Sequence, residues 1–472
     1  MESYEREASG PATQIEPRPP LPGCSRRQFL AGASALLASS TAVPLLAQEP
    51  VASGGKDPLL LTEHRPIIRA RDAALELLKP SRKLLEQGLE LHRSSLVFDA
   101  YGFAPRAALD AARLTAVIEA GASDQEVQDL QEEMSMTQAA FVPAERTEFQ
   151  EAMSCAGVTC IFQNAGEEGQ DPLRLMKRLA RFTFLSDTLR GVLTRAALPD
   201  DIEAAHKAGR HCLYLTGNGV PLPQQWNTVP DELSYIRLFF QLGIRMMHVT
   251  YNRRNMLGDG CAETANGGLS DLGRAAIAEM NRVGVIVDVA HSGWRTSLEA
   301  AKASQKPMVA SHTTCDAVHH HIRAKPDEVI RAICDTGGLI GLCWIPQFLG
   351  GTGDLSALLD QIDYAVKKFG VEHVAIGTDV AHSSQHAAAN KAIPSRGKRR
   401  TRYEALWPDG ALGGQWPRAE TLTWTNWPLL TVGLVQRGYK EDEIRKILGG
   451  NMLRVCRAVL PEPLLKAPPK PE

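Results

Sequence analysis

The stretch Gly284-Val285-Ile286-Val287-Asp288-Val289-Ala290-His291 decides the fold, together with Pro307-Met308-Val309-Ala310-Ser311-His312 shortly after it. Each is a short apolar run rich in β-branched residues, which reads as a strand buried on both faces and is too short to bury itself as a helix. Residues 294–304 between them have the length of the helical crossover that parallel neighbours require, so both histidines leave the same edge of one sheet. Two neutral imidazoles at one edge are half of a metal site. A lone histidine at a strand end is more often a hydrogen-bonded structural residue, so the rest of the chain has to decide.

Outward from this pair, short apolar runs recur at 96–101, 157–162, 211–216, 244–251, 284–291, 307–312, 338–344 and 373–379. Between them lie helix-periodic segments such as 231–242, 272–283, 326–336 and 355–369, with Gly243, Gly284, Gly337 and Gly370 as C-terminal stops. Strand–helix alternation repeated eight times predicts a (β/α)8 TIM-type barrel over residues 93–460. A doubly wound open sheet is the alternative, because alternation does not encode closure. Before the barrel, residues 48–92 read as a linker and an amphipathic helix over 67–91, broken near Pro80. After it, closing helices over 427–437 and 441–460 precede a Pro-rich tail, 461–472, expected to be disordered.

The first 47 residues carry a different signal. Ser25-Arg26-Arg27-Gln28-Phe29-Leu30 precedes a run of small and apolar residues to Ala47, and this resembles a bacterial twin-arginine export signal with cleavage after Ala42 or Ala47. The run is too short and too rich in Ala and Ser to span a membrane. The expected location is therefore periplasmic or extracellular.

Charge excludes other classes. With 52 Lys plus Arg against 54 Asp plus Glu, no global field favours nucleic acid or anionic lipid. The basic segment 395–402 lacks aromatic interleaving and reads as a solvated loop. No glycine-rich phosphate loop follows any strand. Nine cysteines are scattered without C-x-x-C spacing, as small buried hydrophobes are. Trp407, Trp416, Trp424 and Trp427 fall in an irregular segment suited to covering a barrel mouth. Self-association into a homo-oligomer is left open.

In such a barrel the residues that close the strands face the active site. They are Tyr101 with Phe103, Gln163, Thr216 with Gly217, Tyr251, His291, His312, Trp344 and Asp379, with Arg323 in the loop after the sixth strand. Two His, an Asp and an Arg form a polar cluster suited to a metal, a carboxylate, or both.

These residues carry a resemblance. Gly268-Leu269-Ser270 with Gly273, and the run from Asn281 to His291, resemble the fifth-strand signature of the membrane (renal) dipeptidase family of zinc peptidases. Ser311-His312, Arg323, Pro326-Asp327-Glu328, Gly377-Thr378-Asp379 and Gly450-Asn451-Met452-Leu453-Arg454-Val455 match its later motifs in order. The resemblance implies a metal-dependent hydrolase barrel that cleaves dipeptides with two zinc ions bridged by a carboxylate. It implies His291 and His312 as ligands of one zinc, Arg323 as the clamp on the substrate carboxylate, and Asp379 as the catalytic carboxylate that handles protons.

Other positions depart from the family pattern. Its first strand ends in Asp-Gly-His-Asn-Asp, where this chain has Asp99-Ala100-Tyr101-Gly102-Phe103. No carboxylate stands near Thr216-Gly217-Asn218, where the bridging glutamate belongs, and Tyr251 takes the place of a substrate-orienting histidine. The expected site is therefore mononuclear, with one zinc on His291 and His312, Tyr251 and Arg323 on the substrate, and a third ligand drawn from Asp379, a cysteine, or a carboxylate such as Glu167 or Glu168. The alternative is a catalytically impaired binding protein for small carboxylate-bearing peptides.

Overall fold

The computed structural model describes residues 62–166, 170–387 and 406–465. All eight expected strand runs form strands: β1 (Phe98–Gly102), β2 (Cys160–Asn164), β3 (His211–Gly217), β4 (Ile244–His248), β5 (Ile286–Asp288), β6 (Val309–Cys315), β7 (Leu339–Leu342) and β8 (Val374–Ile376). They are parallel and lie side by side in chain order, so the helical crossovers stack around the outside. The inward positions Phe98, Phe162, Tyr214, Met246, Ile286, Val309, Leu339 and Ala375 fill the barrel with a packed apolar plug. That plug closes the lower end and leaves chemistry to the carboxyl ends of the strands.

Asp99 joins the two ends of the sheet. Its Oδ1 accepts the Thr378 N–H at 2.9 Å, and its Oδ2 contacts the Thr378 hydroxyl at 2.6 Å and accepts the Trp424 indole N–H at 3.1 Å. Asp379 N–H donates to Tyr101 O at 3.0 Å across the same seam. This seam distinguishes the barrel from the open-sheet alternative.

Burial pushes the Asp99 carboxyl up to about 7 against the pull of its hydrogen bonds. The unfolded chain ionises this group near about 3.9, so between about pH 4 and about pH 7 the folded state holds a proton that the unfolded state has lost. Stability from Asp99 therefore falls as pH rises through that window and levels off above it. Asp99→Asn keeps an acceptor without the charge, and its melting temperature should lose this downward trend between about pH 4 and about pH 7. Parallel pH curves for variant and wild type would count against this assignment.

The structure refines several expectations. The helix expected over 67–91 is two helices, Arg65–Leu78 and Arg82–Ser94, with Lys79 in the left-handed region at φ 44° and Ser81 capping the second. Short strands Leu193–Arg195 and Ala324–Lys325 flank β3 and β6, and neither is long enough to show a period in sequence. The last long helix contains a π-turn at Lys446–Gly450, where a Cβ on Gly449 would stand 2.4 Å from Leu96 O. Beside it, Asn451 Nδ2 donates to Val371 O and Val374 O, so the Gly450-Asn451 motif pins the closing helix under β8. At the start of the tail, Glu462–Leu465 is a short helical turn, and residues 466–472 lie outside the described residues.

Among the described residues eight cysteines are free, and all but Cys261 are buried. None of the described helices is long and apolar enough to cross a membrane. The export signal, the linker 48–58, the basic segment 395–402, Cys24, Glu167 and Glu168 lie outside the described residues.

Candidate functional site

At the carboxyl end of the barrel the expected pair meets. His291 Nε2 and His312 Nε2 stand 2.9 Å apart, with both side chains buried. His291 Nδ1 faces Asn252 Oδ1 at 2.6 Å, and an amide oxygen only accepts, so the proton sits on Nδ1 and Nε2 presents a lone pair. His312 Nδ1 is held by Ser311 Oγ at 2.8 Å. Burial, reinforced by the Arg323 cation, drives both imidazoles well below their ordinary pKa and keeps them neutral. Two tyrosines sandwich the pair: Tyr101 stacks on His312 with centroids 3.8 Å apart, and Tyr251 stacks on His291 at 4.1 Å.

A third imidazole, which reading the strand ends alone misses, joins them. His248, His291 and His312 present ligand atoms that all lie within 4.8 Å of one another. Counting by two from the inward residue Met246 puts His248 on the barrel interior, and that alternation is the signal that could have found it. Its Nδ1 lies 3.2 Å from Gly217 O, and its Nε2 lies 2.9 Å from Asp288 Oδ2. Asp288 Oδ1 accepts the N–H groups of Ala290 and Ser311. Burial opposes ionisation of Asp288, yet His248 and the Ser311 donors hold its carboxyl below the usual carboxylate range.

The other expected residues fall into two groups. Tyr101, Phe103, Gln163, Tyr251, His291 and Asp379 line a cavity of about 410 Å³ above the pair. Asp379 adopts φ 57°, a left-handed conformation that a non-glycine residue holds only where its surroundings over-determine it.

Arg323 does not line this cavity. It is fully buried, Nη1 donating to Ala290 O at 2.8 Å and Nη2 to His312 O at 3.0 Å, so it braces the two strand ends from behind. Thr216 donates its hydroxyl to Met246 O, and Trp344 is buried against Trp427. Of the four tryptophans expected at the mouth, Trp407 lines the cavity while Trp424 and Trp427 are buried in the core.

Two arginines that no periodic pattern marks do line the cavity. Arg106 lies over the Phe103 ring at 4.6 Å and within electrostatic range of Asp379. Arg178 is held on both oxygens of Glu132, at 3.0 and 2.8 Å. A cation paired this way is positioned rather than free, which leaves Arg106 as the arginine better placed to meet a ligand carboxylate.

Comparison with known proteins agrees with this picture. The family model described as membrane dipeptidase (peptidase family M19) matches residues 86–390. The dipeptidase tcpJ of Claviceps purpurea is 23% identical over 265 residues, covering 55% of this chain and 54% of that protein. The dipeptidase aclJ of Aspergillus oryzae is 27% identical over 233 residues, covering 48% of each. The chain thus spans about half the length of the curated relatives it matches. Among solved structures, an amidohydrolase from Pseudomonas aeruginosa superimposes with a TM-score of 0.58 at 25% identity, covering 79% of this chain and 98% of that one. The matched region contains all eight barrel strands and all of the histidine cluster, and the chain belongs to the membrane dipeptidase family.

Proposed function

We propose that this protein is a dipeptidase-like hydrolase that uses one zinc ion held by His291 and His312. The observation that carries the reading is the pair of Nε2 atoms 2.9 Å apart, each on an imidazole whose Nδ1 is already anchored. Neutral imidazoles oriented through their second nitrogen are what a borderline dication takes as ligands, and two such nitrogens on one tetrahedral zinc sit about 3.3 Å apart. The donor chemistry therefore fits one ion after a small relaxation.

It does not fit the family's second ion. Tyr101 and Phe103 stand at two of its ligand positions, and the Thr216 hydroxyl is already spent on Met246 O. As placed, His248 Nδ1 is taken by Gly217 O and its Nε2 lies 2.9 Å from Asp288 Oδ2 without an aligned hydrogen bond, so His291 and His312 are the two imidazoles whose Nε2 atoms face each other for an ion. Catalytic zinc sites usually have three protein ligands, so the expected retention is weak enough for a chelator to strip.

When bound, zinc would supply Lewis-acid polarisation of an amide carbonyl. The chain's own residues supply the rest. Asp379 at the rim holds or moves a proton, Arg106 pairs with the substrate carboxylate, and Tyr251 and Phe103 exclude water from the cavity. The substrate class is a dipeptide or a related small amide with a free carboxylate.

The test is a metal analysis of the purified protein combined with a dipeptide hydrolysis screen. Near one equivalent of metal, with turnover lost to a chelator and restored by zinc, is the expected result. A folded protein that takes up no metal at the rim and hydrolyses nothing would favour the second reading, a binding protein for small carboxylates. The observation behind that second reading is the stacking of a tyrosine on each imidazole, in a cluster of ligand atoms that among the described residues comprises three imidazoles and no carboxylate.

We also propose export through the twin-arginine route, on the strength of Arg26-Arg27 before the short apolar run. Replacing both arginines with lysine should leave the precursor inside the cell. Normal export of that variant would refute the route.

A further inference from the structure

We propose that His64, Glu148 and His382 form a second metal site, separate from the rim pair and structural in role, which takes a zinc-type dication. These residues come from three distant segments. His64 is the N-cap of helix Arg65–Leu78, Glu148 lies within helix Pro143–Ala156, and His382 follows β8. No local pattern links them.

Their side chains converge in a dry place. His64 Nε2 is 2.9 Å and His382 Nε2 is 2.8 Å from the same oxygen, Glu148 Oε1, and the three side chains are 2%, 5% and 4% exposed in the order His64, His382, Glu148. The rings meet edge to face with centroids 5.6 Å apart. One ligand atom from each residue lies within 4.8 Å of the others.

Two features are poorly explained by hydrogen bonding alone. First, His64 Nε2 is buried without an aligned hydrogen-bond partner, although Glu148 Oε1 is near. An orphan nitrogen of this kind carries a desolvation cost that a ligand would remove. Second, Glu148 Oε1 also accepts the Gln385 N–H at 2.8 Å, so one oxygen with two lone pairs faces three nitrogens. A cation seated among Oε1 and the two Nε2 atoms turns this crowding into coordination. The contact of His64 Nδ1 with Ile67 N–H is 3.4 Å, too long to fix the tautomer against a metal.

The surroundings supply charge and space on the right scale. Glu145 is buried next to Glu148, and Ser384 Oγ bridges them at 3.1 and 3.3 Å. Two buried carboxylates side by side concentrate negative charge that a dication would neutralise. Two imidazoles and a carboxylate are a zinc-type donor set. The adjoining cavity is only about 10 Å³, enough for roughly one water as a further ligand and too small for a substrate. The role is therefore to clamp.

What it would clamp is the rim. Arg106 N–H donates to His382 O at 2.8 Å and Ser384 N–H donates to Arg106 O at 3.0 Å, so the His382 segment carries Arg106 at its edge. A loaded site would tie the N-terminal helix to the wall of the main cavity.

The experiment uses the full chain with the rim pair disabled by His291→Ala and His312→Ala together. Titration with Co²⁺ should show one equivalent bound with visible ligand-field absorption, and adding His382→Gln, or separately Glu148→Gln, should abolish that signal. Anomalous diffraction at the zinc edge from wild-type crystals grown with Zn²⁺ gives a readout that needs no variant, with a peak expected among His64, Glu148 and His382. Absence of that peak, or Co²⁺ absorption that survives His382→Gln, would overturn the proposal. Failure of the rim pair to bind metal leaves both arms of this test unaffected.

Discussion

His312→Ala is expected to release the rim metal and to lower dipeptide turnover by on the order of 10³-fold or more, with the barrel still folded. His312 gives the pair one of its two facing Nε2 atoms, and a single remaining imidazole on His291 cannot retain a borderline dication against water. His291→Ala should behave alike. Asn252→Ala removes only the group that fixes the His291 tautomer, so it should weaken metal affinity by roughly 10- to 100-fold while leaving the ligand atoms in place. Atomic absorption and chelator competition measure these steps. Unchanged turnover in His312→Ala would place the chemistry elsewhere.

The second large effect separates two arginines. Arg323→Ala should destabilise the fold by roughly 3–5 kcal/mol, because two charge-assisted hydrogen bonds disappear and two buried carbonyls are left without them. Those carbonyls belong to Ala290 and His312, so the damage falls directly beneath the site. Arg106→Ala removes a side chain that lines the cavity, where its guanidinium lies over the Phe103 ring and within electrostatic range of Asp379. It should raise KM for dipeptides and spare the melting temperature. Thermal melts and steady-state kinetics on both variants decide the matter. An Arg323→Ala protein with an unchanged melting temperature and a raised KM would restore Arg323 as the carboxylate clamp.

The family resemblance pointed to Arg323 as that clamp, and the residue is indeed beside the site. Its identity was legible, but its direction was not. A motif records which residue follows a strand, whereas the carbonyls that capture a guanidinium are set by how neighbouring strand ends pack. His248 shows the same limit from the other side. It lies within a run whose strand character is plain, yet its partner Asp288 is on the next strand, across a ladder that pairs the two residues directly.

The chain's local patterns were enough for the parallel strand–helix repeat, though not for its closure. Short β-branched runs alternating with amphipathic helices leave few arrangements other than parallel strands with right-handed crossovers, and that rule alone brings His291 and His312 to one rim. Pro80, the helix-ending glycines and the apolar periods are all local signals, and local signals survive without tertiary context. Closure through Asp99, Thr378 and Trp424, the burial of Arg323, the arrival of Arg106 at the cavity and the meeting of His64, Glu148 and His382 all needed the folded molecule. Each joins groups far apart in the chain, and no period of 2 or 3.6 residues encodes a contact made only when separate elements pack.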